Sequence, residues 1–159
     1  MIRLSTEAFD PGALLADFLA GRRETGAVAT FTGLARAGQG QTSLLELEAY
    51  PGFTEARIGE IAGQAQARFT LDDVLIVHRI GKIAPGEPIV FVATAAAHRR
   101  AAFEACDFLM DYLKSRAPFW KKEHGPDGAR WVEPSAQDHL DIARWEPGAP
   151  QDDASASRA

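Results

Sequence analysis

Two short apolar runs constrain the fold of this chain more than any other feature. Residues 73–80 are apolar on both strand faces as far as His78, and residues 89–94 form a second such run. Pro85 and Gly86, between them, mark a turn. Runs of this length are typical of buried strands, so we expect two central strands joined like a hairpin. Further strands are predicted at 26–33, 44–50 and 129–133.

Four segments carry apolar residues at helical spacing. Asp10 followed by Pro11 is a helix start, and Thr54 can cap a second helix. The predicted helices are 11–20, 54–69, about 96–116, and 136–145. Helices and strands alternate irregularly, which favours an α+β fold over a doubly wound parallel sheet.

Composition limits the class of protein. The length predicts one domain over residues 1–146, and the Pro-, Ala-, Ser- and Asp-rich tail at 147–159 is expected to be disordered. No apolar run is long enough for a membrane span, and the first residues do not resemble a secretory signal. A single cysteine and a net charge of −5 favour the cytoplasm and argue against nucleic-acid binding.

A basic segment lies at residues 114–123. It contains four cations and one carboxylate, a local net charge of +3 in an acidic chain. Pro118 should end the long helix and form a rigid corner, with Lys114 in the last helical turn and Lys121 just beyond the corner. We expect this segment to bind an anionic ligand. Two lysines in a partly buried site destabilise each other's charge, so one could act as a neutral amine while the other stabilises an oxyanion.

His98 and Arg99 open the long helix, where free backbone N–H groups also favour an anion. They are separated from Lys114 by most of the helix, about 24 Å from His98 to Lys114, so they cannot hold one small ligand within a single chain. If they serve one site, two copies must meet across a twofold axis.

Other residues indicate no further chemistry. Cys106 is predicted to be a core thiol and His78 a structural histidine, and the histidines have no metal-binding spacing. The roles expected of the two lysines, a neutral amine and an oxyanion-stabilising ammonium, suit acyl or thioacyl transfer on an anionic substrate. Two alternatives to such an enzyme stay open. The chain could be a non-catalytic module that binds an anion or a partner's tail, or a nucleotide-using transferase, although it lacks a phosphate-binding loop.

Several blocks together resemble the large, catalytic subunit of molybdopterin synthase. They occur in the family's order over about residues 26–133, and the last but one is the most specific. The blocks are Phe31-Thr32-Gly33 with Arg36, Glu48-Ala49-Tyr50-Pro51-Gly52, Val77-His78-Arg79-Ile80-Gly81, Gly86-Glu87, Ala97-His98-Arg99 with Ala102-Phe103-Glu104, Asp111-Tyr112-Leu113-Lys114 with Arg116-Ala117-Pro118-Phe119-Trp120-Lys121-Lys122-Glu123, and Trp131-Val132-Glu133.

The resemblance implies an enzyme of molybdenum cofactor biosynthesis without a cofactor of its own. It would convert cyclic pyranopterin monophosphate (precursor Z) into the dithiolene molybdopterin. Sulfur would come from a thiocarboxylate on the C-terminal Gly-Gly of a small ubiquitin-like partner, whose tail enters the large subunit. A homodimer of large subunits with a small subunit at each end would form a heterotetramer. The implied fold is an α/β hammerhead-type core with a small additional antiparallel sheet.

The resemblance also implies the roles of individual residues. Lys114 and Lys121 would be catalytic, and both would contact substrate. The other implied substrate-binding residues are Leu34, Ala35, Arg36, His98, Arg99, Lys122 and Glu123. Leu34-Ala35 stands where relatives often have Lys-Val, so we expect only backbone contacts from Leu34. No metal ligand is implied.

Overall fold

The computed structural model describes residues 1–38, 42–133 and 135–146. Within these residues, the strands form two sheets, and helices pack on the first sheet. The strands are β1 Ile2–Ser5, β2 Ala27–Leu34, β3 Leu44–Ala49, β4 Asp73–Arg79, β5 Gly81–Ile83, β6 Pro88–Ala96, β7 Phe119–Gly125 and β8 Gly128–Val132. The helices are α1 Pro11–Leu19, α2 Phe53–Phe69, α3 Arg99–Ser115 and α4 Ala136–Ala143. The tail predicted at 147–159 lies outside the described residues.

The two apolar runs form the centre of the first sheet, as predicted. Its strand order is β1-β4-β6-β2, and β4 pairs antiparallel with β6. Ile76 and Val92 face α2 and α3, whereas Val77 and Phe91 face α1 on the other side. Because helices cover both faces, both strands can be apolar throughout.

The long helix starts later than predicted. Strand β6 continues through Ala96, so α3 begins only at Arg99, with His98 as its N-cap residue. Its end at Ser115 fits the prediction, because Pro118 follows shortly after.

The second sheet has the order β5-β3-β7-β8, and all its strand pairs are antiparallel. Leu45 and Leu47 alternate along β3, so both lie on one face of the strand, where they are buried with Ile83. The long helix ends before Pro118, as predicted, but residues 119–125 form strand β7, which the sequence analysis did not predict. Strand β7 forms backbone hydrogen bonds with β3 on one side and with β8 on the other, and a turn at residues 126–127 closes a β7–β8 hairpin.

The α+β class is confirmed, and the structure has the additional antiparallel sheet that the resemblance implied. The hammerhead-type arrangement of the core stays a prediction. Among the described residues, no helix has both the length and the apolar character needed to cross a membrane.

Candidate active site

A cleft of about 720 Å³ lies where the end of β2 meets the second sheet. It brings together five of the predicted site residues: Leu34, Ala35, Arg36, Lys121 and Glu123. The rest of its lining is Ala37, Gly38, Thr42, Leu45, Ile89 and Arg130. The lining has three cationic side chains and one carboxylate, so it favours an anionic ligand.

Strand alternation directs Lys121 and Glu123 to the same side of the second sheet. Lys121 lies opposite Leu47 on β3, and Glu123 lies opposite Leu45, so both share the face that carries the buried leucines. The Lys121 Nζ atom is 3.3 Å from Glu123 Oε1. Lys121 is therefore a half-exposed ammonium at the rim of an apolar surface, held by one neighbouring carboxylate.

Arg130 is a cleft residue that the sequence analysis missed. It lies on β8 directly opposite Glu123, and its Nη2 donates to Glu123 Oε2 at 2.9 Å. Partial burial raises the pKa of Glu123, but hydrogen bonds from Arg130 and Lys121 outweigh it, and that pKa lies below its ordinary value. Glu123 is thus a carboxylate at neutral pH that holds two cations beside the cleft. The turn residues Pro126-Asp127-Gly128 were the sequence signal for this hairpin, and pairing across it would have placed Arg130 opposite Glu123.

Lys122 points to the other face of the second sheet. Its Nζ lies 4.9 Å from the centre of the Trp131 ring, in cation–π contact. Trp131 packs edge-to-face against Trp120 on the same outer surface. The structure therefore separates Lys122 from Lys121 although the two are adjacent in sequence.

Lys114 lies in the last turn of α3 and faces α4. Its Nζ is 3.0 Å from Asp138 Oδ1. Partial burial raises the pKa of Asp138, but hydrogen bonds from Ser135 and Lys114 lower it by more. The pKa of Asp138 is therefore below its ordinary value. The described residues that line the cleft do not include Lys114. Within one chain, the structure therefore pairs Lys114 with α4.

Asp111 anchors α4 to α3 one turn before Lys114. The buried Asp111 carboxylate accepts hydrogen bonds from Arg144 Nη2 at 2.7 Å and from Trp145 Nε1 at 2.6 Å. The Trp145 ring in turn packs edge-to-face on Phe108 in the core. This docking places Asp138 within reach of Lys114.

His98 and Arg99 lie at the opposite end of α3 from Lys114. Both are exposed, and the His98 side chain makes no capping hydrogen bond to the helix. The helical rise of about 1.5 Å per residue separates His98 from Lys114 by about 24 Å. One chain therefore does not bring the helix start to the lysine at its end.

Cys106 and His78 are buried, as predicted for structural side chains. Burial raises the pKa of the Cys106 thiol to about 11, with a smaller contribution from Asp107, so the thiolate nucleophile is scarce at neutral pH. Burial lowers the pKa of His78 to about 4, and its ring stacks on Phe119 at 4.0 Å. Neither residue lines the cleft.

Comparison with known proteins identifies the family. A family model described as MoaE protein matches residues 4–116. The molybdopterin synthase catalytic subunit of Caulobacter vibrioides is 69% identical over 146 residues, which are 92% of this chain and 97% of the relative.

Two solved structures share the fold. A molybdopterin biosynthesis MoaE protein from Burkholderia ambifaria has a TM-score of 0.79 at 47% identity, over 91% of this chain and 97% of that one. A molybdopterin synthase from Staphylococcus aureus has a TM-score of 0.74 at 30% identity, over 81% and 94%. The chain therefore belongs to the MoaE family of molybdopterin synthase catalytic subunits, enzymes of molybdenum cofactor biosynthesis.

Proposed function

We propose that this chain converts precursor Z into molybdopterin in the cytoplasm, with sulfur from the C-terminal thiocarboxylate of a small ubiquitin-like partner. The observation that carries the proposal is the cationic cleft around Lys121, which suits both a pterin phosphate and a thiocarboxylate tail. The buried Cys106 thiol is a poor nucleophile, which supports a sulfur donor outside this chain.

The reaction can be written with this chain's residues in defined roles. Two such transfers are needed, and in each a thiocarboxylate sulfur forms a bond to a carbon of the precursor. The oxygen on that carbon leaves as water or, at the carbon that carries the cyclic phosphate, stays on the ring-opened phosphate. Water then cleaves the resulting thioester, which leaves sulfur on the pterin and a carboxylate on the partner's tail. Lys121 and Lys114 would serve as the amine that moves a proton and the ammonium that stabilises the oxyanion. Arg36 and the 34–36 backbone would hold the substrate with Glu123 beside them, whereas Lys122 lies on the other face of the sheet, against Trp131.

The proposed site is shared between two copies of the chain. His98 and Arg99 are exposed cations at a helix start, suited to a phosphate, yet they lie far from Lys114 on the same helix. A twofold homodimer would place the helix start of one copy at the basic cleft of the other. With a small subunit at each end, the assembly would be a heterotetramer.

The pairing of Lys114 with Asp138 favours a second candidate function. If this ion pair persists during turnover, Lys114 has no free amine for catalysis. The chain would then be a non-catalytic module that binds an anion or docks the partner's tail.

Reconstitution separates the two functions. The purified chain is mixed with precursor Z and with a small partner whose C-terminus is either a thiocarboxylate or, as the matched control, a carboxylate. We expect a product that has gained two sulfur atoms, detected by mass spectrometry, only with the thiocarboxylate. Binding of the thiocarboxylated tail without any sulfur gain by the pterin would support the non-catalytic module instead.

A further inference from the structure

Arg79, the last residue of β4, is a charged side chain buried within the protein. The residue is 5% exposed. Its Nη2 donates to the backbone carbonyl of Lys82 at 3.2 Å, and its Nη1 lies 3.6 Å from Glu87 Oε2. Among the described residues, Nε and Nη1 have no hydrogen-bond acceptor. The guanidinium is thus buried with only part of its hydrogen-bonding capacity used.

Stability does not explain an arginine at this position. A buried charge loses its hydration, and a loose ion pair with one carbonyl contact compensates for that loss poorly. An apolar side chain of similar length often gives equal or greater stability in such a place. The Glu87 side chain is 41% exposed, so water would solvate its carboxylate if the arginine were absent.

Arg79 is connected through Glu87 to the backbone of Ala35, which lines the cleft. Glu87, its ion-pair partner, accepts a hydrogen bond from the Ala84 N–H at 2.8 Å and so closes the turn at 84–87. The Ala35 N–H donates to the Glu87 carbonyl at 2.9 Å, and the Gly86 N–H donates to the Ala35 carbonyl at 2.8 Å. The turn therefore holds both backbone groups of Ala35.

Ala35 lies between two exposed residues that line the cleft. Its own side chain is buried with Leu45 and Ile83, whereas Leu34 and Arg36 are exposed in the cleft lining. Fixing Ala35 at its backbone and its side chain sets the direction in which Arg36 leaves the main chain. The same fixation orders the backbone groups that residues 34–36 present to a ligand.

We propose that Arg79 is a positioning residue, which acts through Glu87 and the turn at 84–87 to fix residues 34–36 for the anionic substrate. The substrate part of this inference rests on the proposed function, whereas the fixation of Ala35 does not. A preformed loop lowers the entropy lost on ligand binding, so the contribution should appear in substrate affinity.

Arg79→Met tests the fixation by hydrogen exchange in the intact chain. We expect the Ala35 and Gly86 amides to exchange about tenfold faster or more, while the Val92 amide in the central strand keeps its rate. The melting temperature should not fall. Arg57→Met, an exposed arginine on α2, is the matched control and should change none of these rates. Unchanged exchange at Ala35 and Gly86, or equal acceleration at Val92, would overturn the inference.

Steady-state kinetics in the reconstituted complex tests the consequence for substrate. For Arg79→Met, we expect KM for precursor Z to rise about tenfold with kcat within about twofold of the unmodified protein. Arg79→Lys should recover part of the loss, because an ammonium can reach one of the two acceptors but not both. A fall in kcat at constant KM would overturn the inference. If the unmodified complex shows no turnover, the proposed function fails, and the exchange rates still decide the role of Arg79.

Discussion

Lys121→Ala is expected to lower the rate of pterin conversion by about a hundredfold or more without unfolding the protein. The Lys121 ammonium lies in the cleft at the end of a buried apolar face, where an electrostatic contact to a developing oxyanion is stronger than in open water. Its side chain is half-exposed, so alanine leaves no large cavity. The measurement is single-turnover formation of molybdopterin with thiocarboxylated partner.

Lys82→Ala is the matched control for this loss. Lys82 is an exposed lysine on β5, an edge strand of the same sheet, and it lies opposite Glu46 of β3 in the strand register. Removing it lowers the positive charge of the sheet by the same amount but leaves the cleft intact, so the rate should stay within about twofold. Equal rates for Lys121→Ala and the unmodified protein would contradict the catalytic role.

The largest expected pH effect on stability comes from His78. Its pKa is lowered from 6.5 to about 4 because the ring is buried, so the folded state keeps it neutral where the unfolded chain binds a proton. The unfolded state therefore gains protons as the pH falls, and the free energy of unfolding should drop by about 2 kcal/mol between about pH 7.5 and pH 5. Urea unfolding at the two pH values measures the drop.

His78→Phe should remove most of this drop. Phenylalanine keeps the stacking on Phe119 but has no proton to gain, although it loses the contact between His78 Nδ1 and the Arg79 carbonyl. His139→Phe, at an exposed position on α4, should retain the drop. Glu123 and Asp138 do not obscure the comparison, because their lowered pKa values place their losses at more acidic pH. A full drop in His78→Phe would contradict this account.

The sequence predicts the central part of the fold because its signals are local. The apolar runs of β4 and β6, the Asp10-Pro11 helix start and the Pro118 stop each act through neighbouring residues. Strand β7 was missed because it has no apolar alternation of its own. Its stability comes from pairing with β3, which is distant in sequence, and such long-range pairing leaves a weak local signal.

The candidate site was predictable in its residue types more than in its geometry. Charge reversal indicated the region of Lys121, and the resemblance supplied Leu34, Ala35 and Arg36, which the structure places in the same cleft. The separation of Lys121 from Lys122 and the pairing of Arg130 with Glu123 both follow from the register of β7. Because β7 was not predicted as a strand, these two relations could not be derived.

Mixed dimers test the central claim, a site shared between two chains, most directly. Lys121→Ala and His98→Ala chains, carrying different tags, are combined with thiocarboxylated partner, and the heterodimer is isolated and assayed. Each homodimer should be nearly inactive, whereas the heterodimer has one site with both substitutions and one with neither, so it should show about half the activity of the unmodified dimer. An inactive heterodimer would mean that Lys121 and His98 of the same chain serve one site, or that no shared site exists, and would contradict the account.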